Sequence, residues 1–472
     1  MNLNQTLQEK YPHLEVSVLK LSEAQKDNES KRIDSEFFKK EYFDAMETMQ
    51  LNQVEYLGDN MKFNSRYSQP KYDETSKIKV INSQYIRNEY IDYENAKSGY
   101  GKIVPKESVL INATGVGTLG RVFINILDFD FSIDSHINVI VVKNKTYLNP
   151  YFLAIFLQSY YGQIQIIRYY SGTSGQIEIY PRDFNYFKIP IFPMEFQLEI
   201  QNLVKDSHKA LEESKELYKK AEETLYLELG LDPKNPLQSL LDSKTNIPTN
   251  SPNISIHTLK ESFLKTGRLD SEYYQSKYED IEKFIKSYPN GYDSFSNIIN
   301  NKDTNFTPKN NENYSYIELA NIGNNGNISE PISDLGKNLP TRARRIVSKG
   351  DVIISSIEGS LSSCALITQE FDKHLVSTGF FVLNSKLLNG ETLLVMFKSQ
   401  IFQEYLKKFP SGTILCAINK EELSKILIPK IDPTTQEKIA KYIQESFNLR
   451  KKSKQLLDNA KIKVEEQIQG KV

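Results

Sequence analysis

A heptad-spaced segment occurs twice in this chain of 472 residues and constrains its fold more than any other feature. Successive seam residues are separated by four and then by three positions, which is the spacing of a coiled-coil seam. The first seam is Ile200, Val204, Ser207, Leu211, Ser214, Tyr218, Ala221 and Leu225, and the second is Ile439, Ile443, Ser446, Arg450, Ser453, Leu457, Ala460 and Val464. Each second-copy residue lies 239 positions after its counterpart. The pattern predicts a duplicated chain in which each module ends in a long helix.

The small residues of the two seams predict how the long helices pack. Small side chains every seven positions allow two helix backbones to approach closely, so we expect the helices to pack on each other, antiparallel if the modules lie at opposite ends. The segment from Ile200 to Leu225 would span about 38 Å at about 1.5 Å per residue. One turn of B-DNA measures about 34–36 Å, so this geometry suits a strut between two separated half-sites.

The duplication extends into the modules. Residues 32–46 match residues 268–282, and in both copies an Asp-Ser pair precedes an aromatic-rich helical pattern, which predicts a helix N-cap. Short apolar runs then predict strands. A longer apolar run predicts one helix over Asn149–Ile166 and a second over 388–406. A Ser-Gly-Thr turn follows each of these helices.

These patterns predict an α+β fold with two similar mixed α/β modules, separated by two long antiparallel coiled-coil helices in a pseudo-twofold arrangement. The segment between the copies is rich in Pro, Asn and Ser, which favours a linker. The predicted boundaries are 1–190 for the first module, 191–230 for its helix, 231–256 for the linker, 257–429 for the second module and 430–472 for its helix.

Composition limits the functional classes. The net charge is −1, so no global basic field indicates nucleic acid, and only local clusters could bind it. Two cysteines are too few for a disulfide framework. The N-terminus does not match a secretory signal, and no apolar run approaches the roughly 20 residues that span a bilayer. We therefore expect a cytoplasmic protein with no membrane partner.

The sequence contains no convincing enzyme motif. Gly115, Gly117 and Gly120 have dinucleotide-fingerprint spacing, but a strand-like segment follows them where a helix is required, which favours a turn between strands. The five histidines lack metal-ligand spacing, the cysteines form no CxxC pair, and there is no phosphate-binding GxxxxGK[ST] loop. Asn149-Pro150-Tyr151-Phe152 is better explained as a helix start than as a methyltransferase motif. The sequence therefore predicts binding without catalysis, and neither a metal nor a cofactor.

Local basic clusters at matching places in the two copies predict contact with DNA. Each contains cationic side chains beside Tyr, Asn, Gln, Ser or Thr, which are suited to phosphates and base edges. The long helices are mixed or acidic and are not expected to lie on phosphates. The candidates are Asn64, Arg66, Tyr67, Gln69, Lys71, Arg87, Arg168, Ser171 and Thr173 in the first module, and Lys309, Arg342, Arg344, Arg345, Lys407, Lys408, Ser411 and Thr413 in the second.

The chain resembles the DNA-specificity subunit of type I restriction–modification enzymes. The resemblance rests on residues 188–204 and 426–443, each of which enters a long helix, and on VPKESVLINATGVGTLGRV, LNPYFLAIFLQS and the Ser-Gly-Thr turns. It implies two target-recognition domains, each reading one half of a bipartite double-stranded DNA site, with paired helices that set the gap. It also implies a subunit without catalysis of its own.

The resemblance further implies the partners. Two methyltransferase (modification) subunits would bind S-adenosylmethionine, and restriction/translocase subunits would use ATP and Mg, for DNA methylation and phage defence. Three alternatives remain at this point: the recognition subunit of a type IIB-like restriction system, a coiled-coil scaffold that does not bind DNA, and a free-standing methyltransferase. The last is disfavoured because its cofactor and catalytic motifs are missing.

Overall fold

The computed structural model describes residues 3–16, 18–28, 31–172, 175–242, 256–412 and 416–470. The chain divides into two compact units, and the division falls within both long helices. Unit 1 comprises Met1–Glu212 with Arg450–Val472, and unit 2 comprises Glu213–Leu449. Thr173 and Thr413, both predicted DNA contacts, lie outside the described residues.

Unit 1 combines short helices with three small sheets. Its helices are α1 (Leu3–Lys10), α2 (Leu21–Gln25), α3 (Lys40–Met49), α4 (Leu57–Asn60), α5 (Pro150–Gln158), α6 (Tyr160–Tyr169) and the start of α7 (Met194–Glu228). Its strands are β1 (Val54–Tyr56), β2 (Met61–Arg66), β3 (Lys71–Tyr72), β4 (Lys79–Ile81), β5 (Lys97–Tyr100), β6 (Val109–Asn112), β7 (Val122–Ile124), β8 (Phe131–Ile133), β9 (Ile137–Val142) and β10 (Lys188–Pro190).

Unit 2 also combines short helices with three small sheets. Its helices are α8 (Pro236–Asp242), α9 (Phe263–Thr266), α10 (Ser276–Lys286), α11 (Phe295–Ile298), α12 (Gly390–Lys398), α13 (Gln400–Leu406), α14 (Lys420–Lys425) and the start of α15 (Pro433–Ile468). Its strands are β11 (Tyr292–Ser294), β12 (Ile299–Asn301), β13 (Asn313–Ile317), β14 (Ile332–Leu335), β15 (Ala343–Ile346), β16 (Val352–Ser355), β17 (Cys364–Leu366), β18 (Leu375–Ser377), β19 (Phe380–Ser385) and β20 (Leu427–Pro429). Helix α8 lies within the segment predicted to be a linker.

Two of the three sheets have the same strand order in both units, and the third differs in its outer strands. In unit 1 the orders are β1-β10, β2-β9-β6-β7 and β3-β5-β4-β8, and in unit 2 they are β11-β20, β12-β19-β16-β17 and β14-β13-β18-β15. One strand pair in each unit is parallel, β4 with β8 and β13 with β18, and the other pairs are antiparallel. The duplication seen in the sequence therefore extends to two sheets and to the parallel pair of the third, in which β3 lies beside β5 in unit 1 and β15 lies beside β18 in unit 2. The mixed α/β fold class is confirmed.

The long helices pair antiparallel within each unit. In unit 1 the Ser207 and Ser453 hydroxyls lie 2.9 Å apart and Lys463 contacts Glu199 at 2.8 Å. The equivalent serine pair in unit 2 is Ser214 with Ser446, 3.0 Å apart. All seam residues are buried except Arg450, which is partly buried. Small hydroxyl residues allow this close approach, as the seam pattern predicted, and the structure shows that they also hydrogen-bond to each other.

The prediction of one helix over Asn149–Ile166 is wrong. The chain leaves helical geometry at Ser159, and α6 starts at the next residue. The Glu465 carboxylate accepts a hydrogen bond of 2.7 Å from the Tyr160 N–H, so it satisfies a donor at the new helix start. A side chain at Gly162 would lie 2.3 Å from the Phe156 carbonyl oxygen, so the corner requires glycine. Unit 2 has the same break at Ser399.

Candidate nucleic-acid interface

A buried glutamine near the start of each long helix holds the N-terminus of a short helix, α5 in unit 1 and α12 in unit 2. The Gln197 side-chain oxygen accepts from the Asn149 N–H at 2.7 Å, and its amide donates to the carbonyls of Tyr147 and Phe192 at 3.0 and 2.8 Å. Gln436 accepts from the Asn389 N–H at 2.9 Å and donates to two carbonyls in the same way, those of Leu387 and Ile431 at 3.0 and 2.9 Å. Asn149 and Asn389 cap α5 and α12. Each glutamine thus fixes the position of the N-terminus of α5 or α12 relative to its long helix.

In each unit one arginine precedes an aromatic-rich turn, residues 34–38 in unit 1 and 270–274 in unit 2. This arginine, Arg32 or Arg268, connects the turn to the C-terminal end of α6 or α13. Arg32 pairs with Asp34 at 2.6 Å and donates to the carbonyls of Arg168 and Tyr170. Arg268 pairs with Asp270 at 2.7 Å and donates to the carbonyls of Lys408, Phe409 and Pro410.

The predicted Asp-Ser N-caps are wrong. Asp34 accepts from the Phe37 N–H within a turn, and α3 begins only at Lys40. Asp270 accepts from the Tyr273 N–H in the same way, and α10 begins at Ser276. The carboxylates are used by the arginines and the turns rather than by the helices.

Two loops lie side by side at one edge of each unit. The hairpin loop joins β6 to β7 (residues 113–121) or β16 to β17 (residues 356–363). The described residues of the Ser-Gly loop are 171, 172 and 175–178 in unit 1 and 411, 412, 416 and 417 in unit 2. In unit 1 the Gly115 N–H donates to the Ile177 carbonyl at 3.0 Å, and in unit 2 the Glu358 N–H donates to the Cys416 carbonyl at 3.1 Å. These matching bonds define equivalent positions in the two loop pairs. No nucleotide-binding helix follows Gly120, so the predicted turn between strands is confirmed.

Several predicted residues of unit 1 gather around its loop pair. Arg66 forms an ion pair with Glu178, which bridges both Thr114 and Ser171 through the backbone. Gln69 accepts from the Ser135 hydroxyl at 2.9 Å, and the next residue, His136, lies 3.0 Å from the Thr114 hydroxyl. The arrangement places a guanidinium, an amide, hydroxyls and an imidazole at one edge, a mixture suited to phosphates and base edges.

Arg121 belongs to this edge but was missed by the sequence analysis. Its guanidinium donates to the Gly117 carbonyl at 2.7 Å and to the Ile86 carbonyl, to which Arg87 also donates. Burial and the neighbouring Arg87 charge lower the pKa of Arg121. Two converging guanidiniums attract an anion, and a predicted contact, Arg87, is one of them. The only sequence signal was the position of Arg121 immediately after the glycine-rich loop.

Two predicted residues of unit 1, Arg168 and Tyr67, lie inside the fold, and a third, Asn64, is partly buried. Arg168 is 4% exposed, and its guanidinium lies 4.0 Å from the Phe37 ring centroid and 3.8 Å from that of Tyr42. Tyr67 is buried beneath the Lys102 ammonium, and Asn64 donates to the Pro181 carbonyl. Burial of Arg168 and Tyr67 argues against direct DNA contact by either, because their side chains already fill the core. Lys71 is exposed on β3.

The arginine cluster of unit 2 divides into exposed and engaged members. Arg342 and Arg344 are exposed beside and on the edge strand β15. Arg345 donates to the Phe380 carbonyl, and burial lowers its pKa. The Thr378 N–H donates to the Arg342 carbonyl at 2.9 Å, and the adjacent Gly379 carbonyl accepts from the Ser356 N–H, which places Arg342 next to the hairpin loop.

The predicted lysines of unit 2 are paired with carboxylates. Lys309 contacts Glu312 at 2.7 Å and Lys407 contacts Glu404 at 2.6 Å, both at the surface. The Lys408 side chain is only 11% exposed and pairs with Glu282, which argues against its contact with phosphate. Ser411 lies in the Ser-Gly loop, where it bridges Ala417 through the backbone.

Within the described residues, no cluster of three or more His, Cys, Asp and Glu side chains could hold a metal ion. Among the same residues, no helix is long and apolar enough to cross a membrane.

Known proteins are similar to most or part of this chain. The specificity subunit of the type I restriction enzyme HindI from Haemophilus influenzae is 30% identical over 159 residues, which cover 33% of each chain, so the match spans about a third of that relative. The solved S subunit from M. genitalium is 14% identical, with 89% of this chain and 95% of that chain covered and a TM-score of 0.40. The HsdS subunit from Thermoanaerobacter tengcongensis is 14% identical, with 89% of this chain and 97% of that chain covered and a TM-score of 0.27.

A family model also matches this chain over 180 residues, from 44 to 223, and is described as the type I restriction modification DNA specificity domain. Together with the HindI relative, this match confirms the resemblance found in the sequence. Residues 44–223 therefore belong to the family of type I restriction modification DNA specificity domains.

Proposed function

We propose that this chain is the DNA-specificity subunit of a type I restriction–modification complex and that it reads a bipartite double-stranded site, one half with each unit. The observation that carries the proposal is the repeated framework. Each unit contains the same glutamine, arginine and serine hydrogen bonds, although the family model covers mainly unit 1. A duplicated framework with different exposed side chains suits the recognition of two different half-sites.

The chemistry is assigned to partner proteins. The proposed partners are two methyltransferase subunits, which bind S-adenosylmethionine, and restriction/translocase subunits, which use ATP and Mg. This chain would contribute base recognition and the distance between half-sites, and no catalytic group. The proposed site of action is the cytoplasm.

Methylome sequencing tests the proposal. A host that carries the complete locus should contain methyladenine in a split motif, and deletion of this gene should remove that modification while complementation restores it. A motif that stays modified after deletion would contradict the proposal. Loss of modification without any effect on a second, unrelated methylation motif in the same host is the matched control.

The long helices are proposed to set the gap between the half-sites. A repeat of residues 208–214 in α7, together with a repeat of 446–452 in α15, adds one heptad to each helix and preserves the serine seam. Seven residues add about 10 Å, and the base-pair rise is about 3.4 Å, so the gap should lengthen by at most about three base pairs. The methylome of this variant measures the gap. An unchanged gap would show that the helices do not set it, and an insertion in α7 alone is the out-of-register control.

A further inference from the structure

The hairpin loops of the two units differ at one equivalent position, where only unit 2 has a charged side chain. The position is defined by its backbone bond to the Ser-Gly loop, and it holds Gly115 in unit 1 and Glu358 in unit 2. Gly115 has a φ of +93° and no side chain. Glu358 begins a short 3-10 turn, Glu358–Ser360, and is exposed. A carboxylate therefore stands at the unit 2 loop where unit 1 has none.

The Glu358 carboxylate is exposed and lies within hydrogen-bond reach of the Cys416 thiol, which is a weak donor, so the carboxylate keeps acceptor sites for a ligand. Among the ion pairs formed by described residues, none includes Glu358. Its neighbour Cys416 donates its thiol to the Gly412 carbonyl at 3.2 Å, and desolvation and the Glu358 carboxylate raise the pKa of that thiol. The exposed Arg342 lies next to the same loop through the Thr378 and Ser356 backbone bonds. The hairpin loop of unit 2 therefore carries an exposed carboxylate, and the strand segment bonded to that loop carries an exposed guanidinium that suits phosphate.

A carboxylate on a DNA-binding edge has one favourable use. Near phosphates it is repelled, and it accepts hydrogen bonds without donating any. In the major groove the amino groups of cytosine and adenine both donate, but adenine has the N7 acceptor beside its amino group, which repels a carboxylate, so cytosine is the favoured partner. We propose that Glu358 reads a cytosine amino group in the half-site bound by unit 2. The inference rests on the proposed function and adds one base of the recognised sequence to it.

The Glu358→Gln and Glu358→Ala variants, in the complete locus, test this assignment through the methylome. The wild-type motif should contain a C·G pair in one half-site that both variants cease to require. In Glu358→Ala, discrimination at that single position should fall from about tenfold or more to near one. Gln should favour adenine there, because its amide pairs with the adenine edge. All other positions should keep their preference, which also shows that the variants fold.

Glu437→Gln is the matched control, because it removes one exposed carboxylate of unit 2 on α15 and should leave the motif unchanged. A motif that is identical in wild type, Glu358→Gln and Glu358→Ala would overturn the assignment but leave the proposed function intact. Complete loss of methylation by Glu358→Gln would also overturn it, because the loss of one base contact leaves the others in place. Absence of any wild-type motif that depends on this gene would overturn both proposals.

Discussion

Units 1 and 2 share a framework that is nearly identical in its hydrogen bonds and differ in the side chains that this framework exposes. The Gln163 amide donates to the carbonyls of Gly120 and Leu157, and the Gln403 amide donates to those of Leu361 and Phe397. These polar groups act on backbone carbonyls, whose positions depend on the fold and not on neighbouring side chains. A duplicated gene segment can therefore keep them while other residues change.

At the edges of the two units, by contrast, side chains at similar places differ in charge. Strand β2 supplies the cation of the Arg66–Glu178 pair in unit 1, whereas the segment after β12 supplies the anion of the Asp303–Lys420 pair in unit 2. The hairpin loop exposes Val116 in unit 1 and Glu358 in unit 2. The comparison teaches that the framework limits where a contact can be made and leaves its chemistry open.

The largest expected effect comes from removal of the anchoring glutamines. Gln197→Leu and Gln436→Leu each leave a buried N–H and two carbonyls without their partner. Each substitution should lower the free energy of unfolding by about 3 kcal/mol, since unsatisfied buried groups cost about 1–3 kcal/mol each and part of the set can be hydrated. Urea titration followed by circular dichroism measures the loss.

The two glutamine substitutions also test the equivalence of the units. Their effects should agree within about 1 kcal/mol, which is within the usual context dependence of such hydrogen bonds. Gln444→Leu, at an exposed site on α15, is the control and should change stability by less than about 0.5 kcal/mol. A large loss for one glutamine and none for the other would show that the shared hydrogen bonds do not have a shared role.

A smaller effect is expected from the arginines of unit 2. Binding of a DNA duplex weakens with salt by a slope of about −0.9 for each phosphate contact. The double variant Arg342→Ala with Arg344→Ala should therefore reduce the slope by nearly two, because both side chains are exposed. Fluorescence anisotropy at several salt concentrations measures the slope.

Arg345→Ala is the matched control for this cluster. This variant removes one guanidinium of the same cluster. In the native chain that guanidinium donates to the Phe380 carbonyl. The slope should stay unchanged while stability falls. An equal reduction of the slope by Arg345→Ala would contradict the division of the cluster into exposed and engaged arginines.

The framework was largely predictable from sequence because its signals are periodic. The heptad seams gave the long helices and their pairing, and the apolar runs gave the main strands. The breaks at Ser159 and Ser399 were not predictable, since the apolar pattern continues through them and the stabilising partners, Glu465 and Tyr226, are distant in sequence.

The candidate site was predictable only in part. Arg66, Gln69, Arg87 and Ser171 do lie at the unit 1 loop pair, and DNA contact by them stays a prediction. Arg168 was grouped with them by local charge, although packing on Phe37 and Tyr42 places it in the core. Arg121 and the proposed base contact Glu358 lie in the hairpin loops of units 1 and 2, which carry no periodic signal, so the sequence analysis did not select either residue.

The smallest expected effect concerns the paired aspartates of the aromatic turns. The Arg32 hydrogen bond lowers the pKa of Asp34. For Asp270 burial raises the pKa, but the Arg268 hydrogen bond and charge and the Tyr273 N–H together lower it overall. A folded-state pKa below the unfolded value of about 3.9 gives stability that is present above that value and is lost as the pH falls through the folded pKa.

Asp34→Asn and Asp270→Asn should therefore reduce stability at pH 7 and flatten its decline below about pH 4. Both carboxylates are nearly half exposed, so solvent screening should keep each effect below about 1 kcal/mol, and salt should reduce it further. Urea titrations between pH 2 and 7 measure the decline, with Glu437→Gln as an exposed control. Equal flattening by both variants would extend the equivalence of the units to their electrostatics. An effect of Asp34→Asn alone would limit that equivalence to hydrogen-bond geometry, because the two arginine–aspartate pairs would then differ in strength despite the same partners.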